Sequence, residues 1–599
     1  MSKFERTSTL VNRKFYHYLF PTILSNVAMS LNEFVDSILV SHLLGIDAVG
    51  MVNRGFPVMT GFALIYMCFG IGGSVVFAEY AGKQDGEKAK KIFSSILLIT
   101  SVISVIITAL GLIFMQPLAG TLCKEQELIA DFIPYLRILV ISGVLIIPVQ
   151  IVVTFLPSFG RPVEGTAINI IANVVNLIMD YVYIKLLNTG FKGAALATLT
   201  GYGVAVLVLA VLCLLKRIEI PFSRFGMEEV REFPSTFLRG AAVAVSQLGY
   251  CIKVAFCNNL ASSFGGIDGV NIFSLCMQTV SIMSIIIAGI LGAMMPLVAA
   301  LHGQGDHKGI KMLMRTVMIM QFATNIVLVT ILDFFPQGVL YLYNVQGDLA
   351  VPAAAAIRMF SGIFIFRGFM LIFMYYFQIV SRKMYAVIIS VIDGFAGIIP
   401  LALILTHFLG IIGIWLTFPV LSALLLAGIL ITNMIIAKRS KGKYNGLLLY
   451  EREENIPVFD STIALRKEDV VEAAKDLQDF CKKVEIPDKL SALVALASEE
   501  MGNYSIEHKE KRRLDEIDLL LKVYKDRIVM DVRSIGKPFD ITACDAEQFS
   551  NVDVIRKVAS SIEYGYVTGM NQTRITIFRL FLMPNKKVHG PNPHKYWVL

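Results

Sequence analysis

Long apolar stretches dominate the first three quarters of the chain. A helix needs roughly 20 apolar residues to cross about 30 Å of hydrocarbon, and stretches at least that long recur up to residue 437. Twelve are present, at 15–42, 55–78, 92–116, 132–157, 163–187, 193–215, 237–262, 270–299, 313–335, 352–380, 384–408 and 411–437. This pattern predicts an α-helical polytopic membrane protein with twelve transmembrane helices.

Short sequence elements return at one nearly constant distance along the chain. Residues 190–196 (GFKGAAL) return as 410–416 (GIIGIWL), an offset of 220 residues, and Asp85 returns as Asp306, an offset of 221. We therefore predict two six-helix lobes, residues 1–220 and 221–445. Six is an even number of spans, so both lobes enter the membrane from the same side and form a parallel repeat. The alternative to a duplication is that the matches are only common glycine turns.

Lysine and arginine gather in alternate loops. They follow the second, fourth, sixth, eighth, tenth and twelfth spans, and the other loops carry few. This bias predicts a multi-pass cell-membrane protein with both termini in the cytoplasm. The net charge of +8 is explained in the same way, so we expect no nucleic-acid partner. The eight cysteines form no Cys-x-x-Cys pair, which argues against a disulfide framework or a metal site.

The composition changes after the basic residues 438–443. Charged residues are 17% of the chain, and about half of them follow residue 450. We predict a linker at 446–460 and a cytosolic α/β sandwich domain at 461–599, because helical and strand patterns alternate there. The predicted helices cover 467–483, 490–508 and about 551–561, and the predicted strands cover 518–523, 528–532, 562–568 and 573–580.

Ionisable residues are rare within the spans. Each costs roughly 2.5–3.5 kcal/mol on insertion scales, so those present are candidates for function. They are Glu33, Asp36, Arg137, Asp180, Lys253, Arg367 and Asp393. The spacing of Asn173, Asn176 and Asp180 places all three on one helix face. Carboxylate and carboxamide oxygens away from water suit a proton or a small hard cation. The alternative is that these groups only bridge helices.

The repeat serves as an internal control for this polar cluster. At the offset of 220 residues, Asn176 becomes Ala396 and Asp180 becomes Pro400. A purely structural requirement should be met in both halves, so the cluster is a functional feature of the first lobe. Glu33 and Lys253 also lie 220 residues apart. We hypothesise that they pair across a central cleft in one access state, the alternative being that each is hydrated separately.

The membrane part resembles the multidrug and toxic compound extrusion (MATE) transporters over residues 1–440. The resemblance is carried by Val-Asp36-Ser, by Asn176-Leu-Ile-Met-Asp180 and by the segment ending at Thr198. It implies two lobes that rock about a cleft during cation-driven antiport. It also implies a first-lobe site for H⁺ or Na⁺ at Asp36, Asn176, Asp180 and Thr198. In the second lobe, Arg367 and Asp393 are candidates for the substrate cleft.

The tail resembles the histidine-kinase-like ATPases, closest to the anti-sigma-factor serine kinases, over roughly residues 460–580. Glu499 and Asn503, four residues apart on one helix, match that family's N-box, where they would bind nucleotide and Mg²⁺. Residues 534–540 (SIGKPFD) match its Asp-x-Gly-x-Pro-Phe-Asp loop. Ser534 replaces the aspartate that recognises adenine. Asn551 replaces a glycine of the phosphate loop, where only a residue without a Cβ lets backbone N–H groups reach the phosphate. We therefore expect a degenerate regulatory module.

The sequence thus predicts a secondary active transporter, not an enzyme. It would export amphipathic or cationic organic compounds in exchange for H⁺ or Na⁺, with no required cofactor. ATP and Mg²⁺ in the tail are not favoured. The expected partners are a small-molecule substrate, the lipid bilayer and a cytosolic regulatory protein at the tail. Two alternatives stay open: a flippase for a lipid-linked or anionic glycan, attracted by Arg137, Lys253 and Arg367, and a membrane-bound signalling protein.

Overall fold

The computed structural model is predominantly helical, with a small mixed region at its C-terminal end. The residues that it describes are 5–44, 52, 54–123, 126–218, 220–224, 226, 231, 233–343, 345, 347–380, 382–440, 442–451, 456–507, 515–538, 540–541, 555–556 and 559–578. Within helix Thr9–Leu44 the description of residue 29 and of residues 31–44 is limited to the backbone.

Thirteen helices of the membrane part are numbered in chain order among the described residues. They are α1 Thr9–Leu44, α2 Phe56–Gly82, α3 Gly86–Ile113, α4 Met115–Leu122, α5 Gln126–Phe155, α6 Pro162–Leu186, α7 Lys192–Leu214, α8 Phe233–Gly303, α9 His307–Phe334, α10 Pro336–Leu342, α11 Ala350–Ile379, α12 Lys383–Leu409 and α13 Ile411–Arg439. Single π-helical turns interrupt α2 at Met67–Ile71 and α12 at Ile392–Ala396, and a third ends α6 at Val182–Leu186.

Ten helices among the described residues are long and apolar enough to cross a membrane. Helix α8 is the longest of them, at 71 residues, and it breaks at Gly266, where φ is 58° and ψ is −145°. A left-handed φ of this kind favours glycine because it has no Cβ. Helix α1 has 36 residues. The structure confirms a polytopic helical membrane protein, and the number of twelve spans stays a prediction.

The two halves of the membrane part share details of backbone geometry. Asp85 and Asp306 both cap a following helix of 28 residues by accepting a hydrogen bond from a backbone N–H three residues later. Their φ and ψ angles are −90° and 67° for Asp85 and −89° and 76° for Asp306. Gly190 and Gly410 have φ angles of 64° and 59°. These matched pairs support the predicted duplication.

The tail forms a five-stranded antiparallel sheet with two helices. After a short hairpin of β1 Tyr444–Asn445 and β2 Tyr450–Glu451, the elements are β3 Val458–Ala464, α14 Lys467–Lys483, α15 Asp488–Glu507, β4 Glu516–Val523, β5 Arg527–Ile535, β6 Ser561–Val567 and β7 Met570–Phe578. The strand order is β3-β4-β5-β7-β6. Alternate strand residues such as Ile463, Leu519 and Val532 pack with Leu477 and Val494 of the two helices.

Most predicted tail elements agree with the structure to within three residues. Strand β3 was not predicted, and it begins inside the stretch assigned to the linker. Phe459, Ser461 and Ile463 lie on one face of this strand, and Asp460 and Thr462 lie on the other. Nearly all of the predicted helix at 551–561 lies outside the described residues, and its final residue, Ser561, begins β6.

Candidate functional site

A buried polar face of α6 meets α7 in the first lobe. Asp180 is fully buried, and Asn176 donates a 3.4 Å hydrogen bond from Nδ2 to the hydroxyl of Thr198. The Thr198 hydroxyl in turn donates to the carbonyl oxygen of Ala194 at 3.0 Å. Three of the four predicted ion-site residues therefore lie on two helices in direct contact.

Gly201 permits this close approach of α6 and α7. A Cβ at this position would lie 2.7 Å from the carbonyl oxygen of Ala172 and 3.2 Å from the Cβ of Asn176. A larger residue would therefore push the helices apart and separate Asn176 from Thr198. The sequence places the polar groups at helical spacing, and the glycine brings the second helix within hydrogen-bond distance.

The same face of α6 continues into a network of neutral polar groups. Asn169 donates to Ser25 of α1 at 3.3 Å and accepts from Gln150 of α5 at 3.4 Å. Gln150 also donates to the hydroxyl of Tyr202 at 3.1 Å. Sequence reasoning that looked for charged groups missed these residues. The signal available was that Asn169 precedes Asn173 by four residues and so shares its helix face.

The remaining first-lobe candidates lie on α1. Glu33 and Asp36 belong to its helical backbone, and their side chains lie outside the described part of the structure. The placement of Asp36 beside Asn176, Asp180 and Thr198 stays a prediction.

A cavity of about 610 Å³ lies between the two lobes. The first lobe lines it with neutral polar residues, among them Asn26, Gln150 and Asn169. The second lobe contributes Lys253 and Arg367, the two charged side chains among the described residues that line it. This volume is in the range that protein pockets use for small organic molecules.

Asp393 links the two cations of the cavity. Lys253 Nζ lies 3.0 Å from Asp393 Oδ2, and a guanidinium nitrogen of Arg367 lies 3.3 Å from Asp393 Oδ1. Lys253 and Asp393 are buried, whereas 19% of the Arg367 side chain is exposed. Two cations against one carboxylate leave one net positive charge. In this structure Lys253 pairs with Asp393, and its pairing with Glu33 stays a prediction.

Comparison with known proteins identifies the membrane part. The MatE family model matches residues 21–182. The probable multidrug resistance protein YoeA of Bacillus subtilis (strain 168) is 23% identical over 423 residues, which cover 67% of this chain and 89% of that relative. The FAD transporter of Shewanella oneidensis is 22% identical over 70% of this chain and 93% of its own length. These matches support a MATE-type transporter in the membrane part of the chain.

Solved transporter structures share the fold of the membrane part. The outward-facing conformation of a multidrug resistance MATE transporter of the MOP superfamily superimposes with a TM-score of 0.66 at 23% identity, covering 72% of this chain and 96% of that one. A MOP superfamily transporter from Pyrococcus furiosus, described as having a binding pocket of reverse polarity, gives 0.65 at 22% identity over 71% and 96%. Relatives and fold together support a membrane exporter of drugs or other compounds.

The two lobes of the membrane part close on each other at the end that carries the tail, which we call the tail end. Glu79 of α2 accepts from Arg239 of α8 at 2.6 Å and from Lys83 at 2.7 Å. Gly240 of α8 lies so close to the Cys68 carbonyl of α2 that no Cβ would fit. Sequence reasoning omitted Glu79 because it lies one turn from Lys83, at the edge of its span.

The tail candidates occupy two different elements. Glu499 and Asn503 share helix α15 and are both half-buried, while Ser534 is buried within strand β5. Asn551 and Phe539 lie outside the described residues. Among the residues that are described, no cluster of three His, Cys, Asp or Glu side chains could hold a metal ion.

Proposed function

We propose that this chain exports amphipathic organic compounds from the cell in exchange for H⁺ or Na⁺ by alternating access. Membership in the MATE family supports compound export in general. One observation favours ion coupling: Asp180 is fully buried on the helix face where Asn176 binds Thr198. Burial disfavours the charged form of a carboxylate, so binding of a proton or a small cation to Asp180 lowers the cost of keeping it within the membrane part.

The chemistry of the first-lobe site suits both coupling ions. A proton would neutralise the carboxylate of Asp180. A sodium ion would take oxygen ligands from Asp180, Asn176 and Thr198, the type of ligand that hard cations prefer. The residues fit either ion, and no other cofactor is needed for the proposed cycle.

Ion exchange also solves an electrical problem for a cationic substrate. Moving one positive charge out against an inside-negative potential costs about 2.3 kcal/mol per 100 mV, and one entering cation releases the same amount. A one-for-one exchange would then be electrically neutral. The concentration gradient of the ion would drive export.

The test uses purified protein in proteoliposomes with an imposed pH or Na⁺ gradient. Gradient-driven uptake of a fluorescent lipophilic compound should be lost in Asp180→Asn. The matched control is Asp268→Asn, because Asp268 is an exposed acid of the second lobe. Equal uptake by wild type and Asp180→Asn would refute ion coupling through Asp180.

A second candidate is favoured by the charge of the central cavity: the substrate is an organic anion. Lys253 and Arg367 line the cavity, and Asp393 is the acid that pairs with them among the described side chains. The FAD transporter of Shewanella oneidensis is similar to this chain over 70% of its length. A solved transporter structure of the same fold is described as having a binding pocket of reverse polarity. An anionic lipid-linked glycan, moved by a flippase, would use the same attraction.

Membrane potential distinguishes these substrates. Export of a monovalent anion gains about 2.3 kcal/mol per 100 mV of inside-negative potential, and the entering cation gains as much again. Anion export should therefore accelerate strongly when a K⁺ gradient with valinomycin imposes that potential. One-for-one exchange of a cationic dye should respond little. Preference for a cationic over an anionic dye of similar size would refute the anion assignment.

We propose that the tail regulates transport. Ser534 and Asn551 stand where a nucleotide-binding relative needs an adenine-reading acid and a phosphate-loop glycine. These replacements favour regulation of transport through contacts of the tail over regulation through ATP hydrolysis. Measurable ATP turnover by the full-length protein that disappears in Asn503→Ala would overturn this assignment.

A further inference from the structure

Both faces of the tail sheet are buried. Along β4, Ile517, Leu519 and Leu521 pack against the tail helices. The intervening residues Asp518 and Lys522 point to the opposite face, yet they are only 1% and 7% exposed. A sheet with helices on one side normally leaves its polar face in water. Here the membrane domain covers that face.

The polar face of the sheet contacts the second lobe at the start of α9. A guanidinium nitrogen of Arg533 lies 2.6 Å from Asp306 Oδ2, and the side chains of Gln304 and Gln572 hydrogen-bond at 2.8 Å. Lys522 donates to the carbonyl oxygen of Gly305 at 3.1 Å. These contacts join three strands of the tail to one loop of the second lobe.

Asp306 is the centre of a buried charge cluster. It accepts bidentate hydrogen bonds from Arg6 at 2.8 and 2.7 Å in addition to the bond from Arg533. Burial opposes ionisation of Asp306, but Arg533 and Arg6 outweigh it and hold the pKa of this carboxyl well below its usual value. Arg6 also approaches Asp460 and Asp518 of the tail, at 3.4 and 3.5 Å.

The tail contacts the first lobe as well. Lys14 of α1 donates to the carbonyl oxygen of Gly569, and the backbones of Gly569 and Gly160 touch. Val567 of β6 packs into the apolar core of the first lobe, which contains Phe77. One rigid sheet thus bridges both lobes at the tail end, where Glu79 of α2 pairs with Arg239 of α8.

We propose that the polar face of the tail sheet is a docking surface specific for the state in which the lobes are closed at the tail end, and that docking locks this state. This inference rests on the proposed alternating access. Opening the tail end separates α2 from α8, and a sheet bound to both lobes cannot follow both. The tail must leave one lobe before the cavity opens on its side.

The test measures distances between spin labels in the full-length protein, with all eight native cysteines replaced. Labels at Arg217→Cys and Lys311→Cys report lobe separation, and labels at Lys311→Cys and Lys489→Cys report tail docking. All three positions are exposed. The variants are Arg533→Gln and, from the membrane side, Asp306→Asn. Arg527→Gln is the matched control because Arg527 is an exposed residue of the same strand.

We expect Arg533→Gln and Asp306→Asn to add a longer distance to both label pairs, and Arg527→Gln to match the parent. Released tails with unchanged lobe distances would overturn the lock. Tails that stay docked in both variants would overturn the role of the Arg533–Asp306 contact. Neither readout needs substrate or an ion gradient, so failure of the lock and failure of ion-coupled export are distinguishable.

Discussion

Lys253 Nζ lies 3.0 Å from Asp393 Oδ2, and both side chains are buried in the second lobe. Removal of one member of a buried ion pair leaves an uncompensated charge, which typically costs 3–5 kcal/mol, whereas removal of both costs far less. We predict that Asp393→Asn, which leaves the buried Lys253 without its carboxylate, lowers the thermal unfolding temperature in detergent more than the double variant Lys253→Gln with Asp393→Asn.

Arg367→Gln is the control for this prediction, because Arg367 contacts the same carboxylate but is partly exposed. Its effect on the unfolding temperature should be smaller than that of Asp393→Asn. A double variant at least as unstable as Asp393→Asn would show that the pair does not act as a unit.

Thr198 and Thr200 offer a matched pair for testing the ion site. Both are half-buried hydroxyls of α7, but Thr198 binds Asn176 and Thr200 binds Tyr183. Loss of one hydrogen-bonding oxygen costs about 1 kcal/mol, which corresponds to roughly fivefold in affinity. We predict that Thr198→Val raises the half-saturating ion concentration for transport about fivefold, while Thr200→Val stays within twofold. Equal effects would argue against an ion site at Thr198.

Closure at the tail end depends on a glycine. Gly240 leaves no room for a Cβ beside the Cys68 carbonyl, while Gly203 of α7 has open space around it. Gly240→Ala should shift the spin-label distance between Arg217 and Lys311 to longer values. Gly203→Ala should leave that distance unchanged and stabilise its helix by up to about 1 kcal/mol. An unchanged distance in Gly240→Ala would contradict the closed packing of α2 and α8.

Docking of the tail should depend on pH in one direction. The pKa of Asp306 is held below its usual value by Arg533 and Arg6. The ionised carboxylate therefore stabilises docking above about pH 4, and this stabilisation is lost as the pH falls below that value. The charges that face it are Arg6, Arg533 and Asp518, with Asp460 beside Arg6. Burial raises the pKa of Asp518, so protonation of Asp518 on mild acidification favours docking.

The distance between labels at Lys311 and Lys489 should therefore stay constant from pH 8 to pH 5 and lengthen below about pH 4. Asp306→Asn should remove this acid step. Release of the tail near pH 6 in the parent protein would show that a group other than Asp306 controls docking.

The helices and the repeat could be predicted from the sequence because membrane spans are set by length and hydrophobicity, and the caps at Asp85 and Asp306 recur in register. Asp180 was recognised as a candidate site residue because an ionisable side chain within a membrane span is energetically costly. The network of Asn169, Ser25, Gln150 and Tyr202 was not found, since neutral polar residues are common in spans and only the packing of four helices brings these residues together.

The partners of charged residues could not be predicted from the sequence. The predicted pairing of Lys253 with Glu33 involves a side chain outside the described residues and stays a prediction, whereas the pairing of Lys253 with Asp393, 140 residues later, was not predicted. Arg6 and Asp306 lie 300 residues apart, and nothing in either segment indicates the other. Strand β3 was missed because it follows the charged residues 451–454 closely and its first residues were assigned to the linker.

Substrate-driven ion movement tests the central claim, exchange through Asp180, most directly. Proteoliposomes would hold equal pH and Na⁺ on both sides, with a pH-sensitive or Na⁺-sensitive dye inside, and a transported compound would be added outside. Entry of the compound should drive H⁺ or Na⁺ out of the wild-type vesicles, and Asp180→Asn should produce no ion signal. Compound entry without any ion movement in the wild type, or an equal ion signal in Asp180→Asn, would contradict the account.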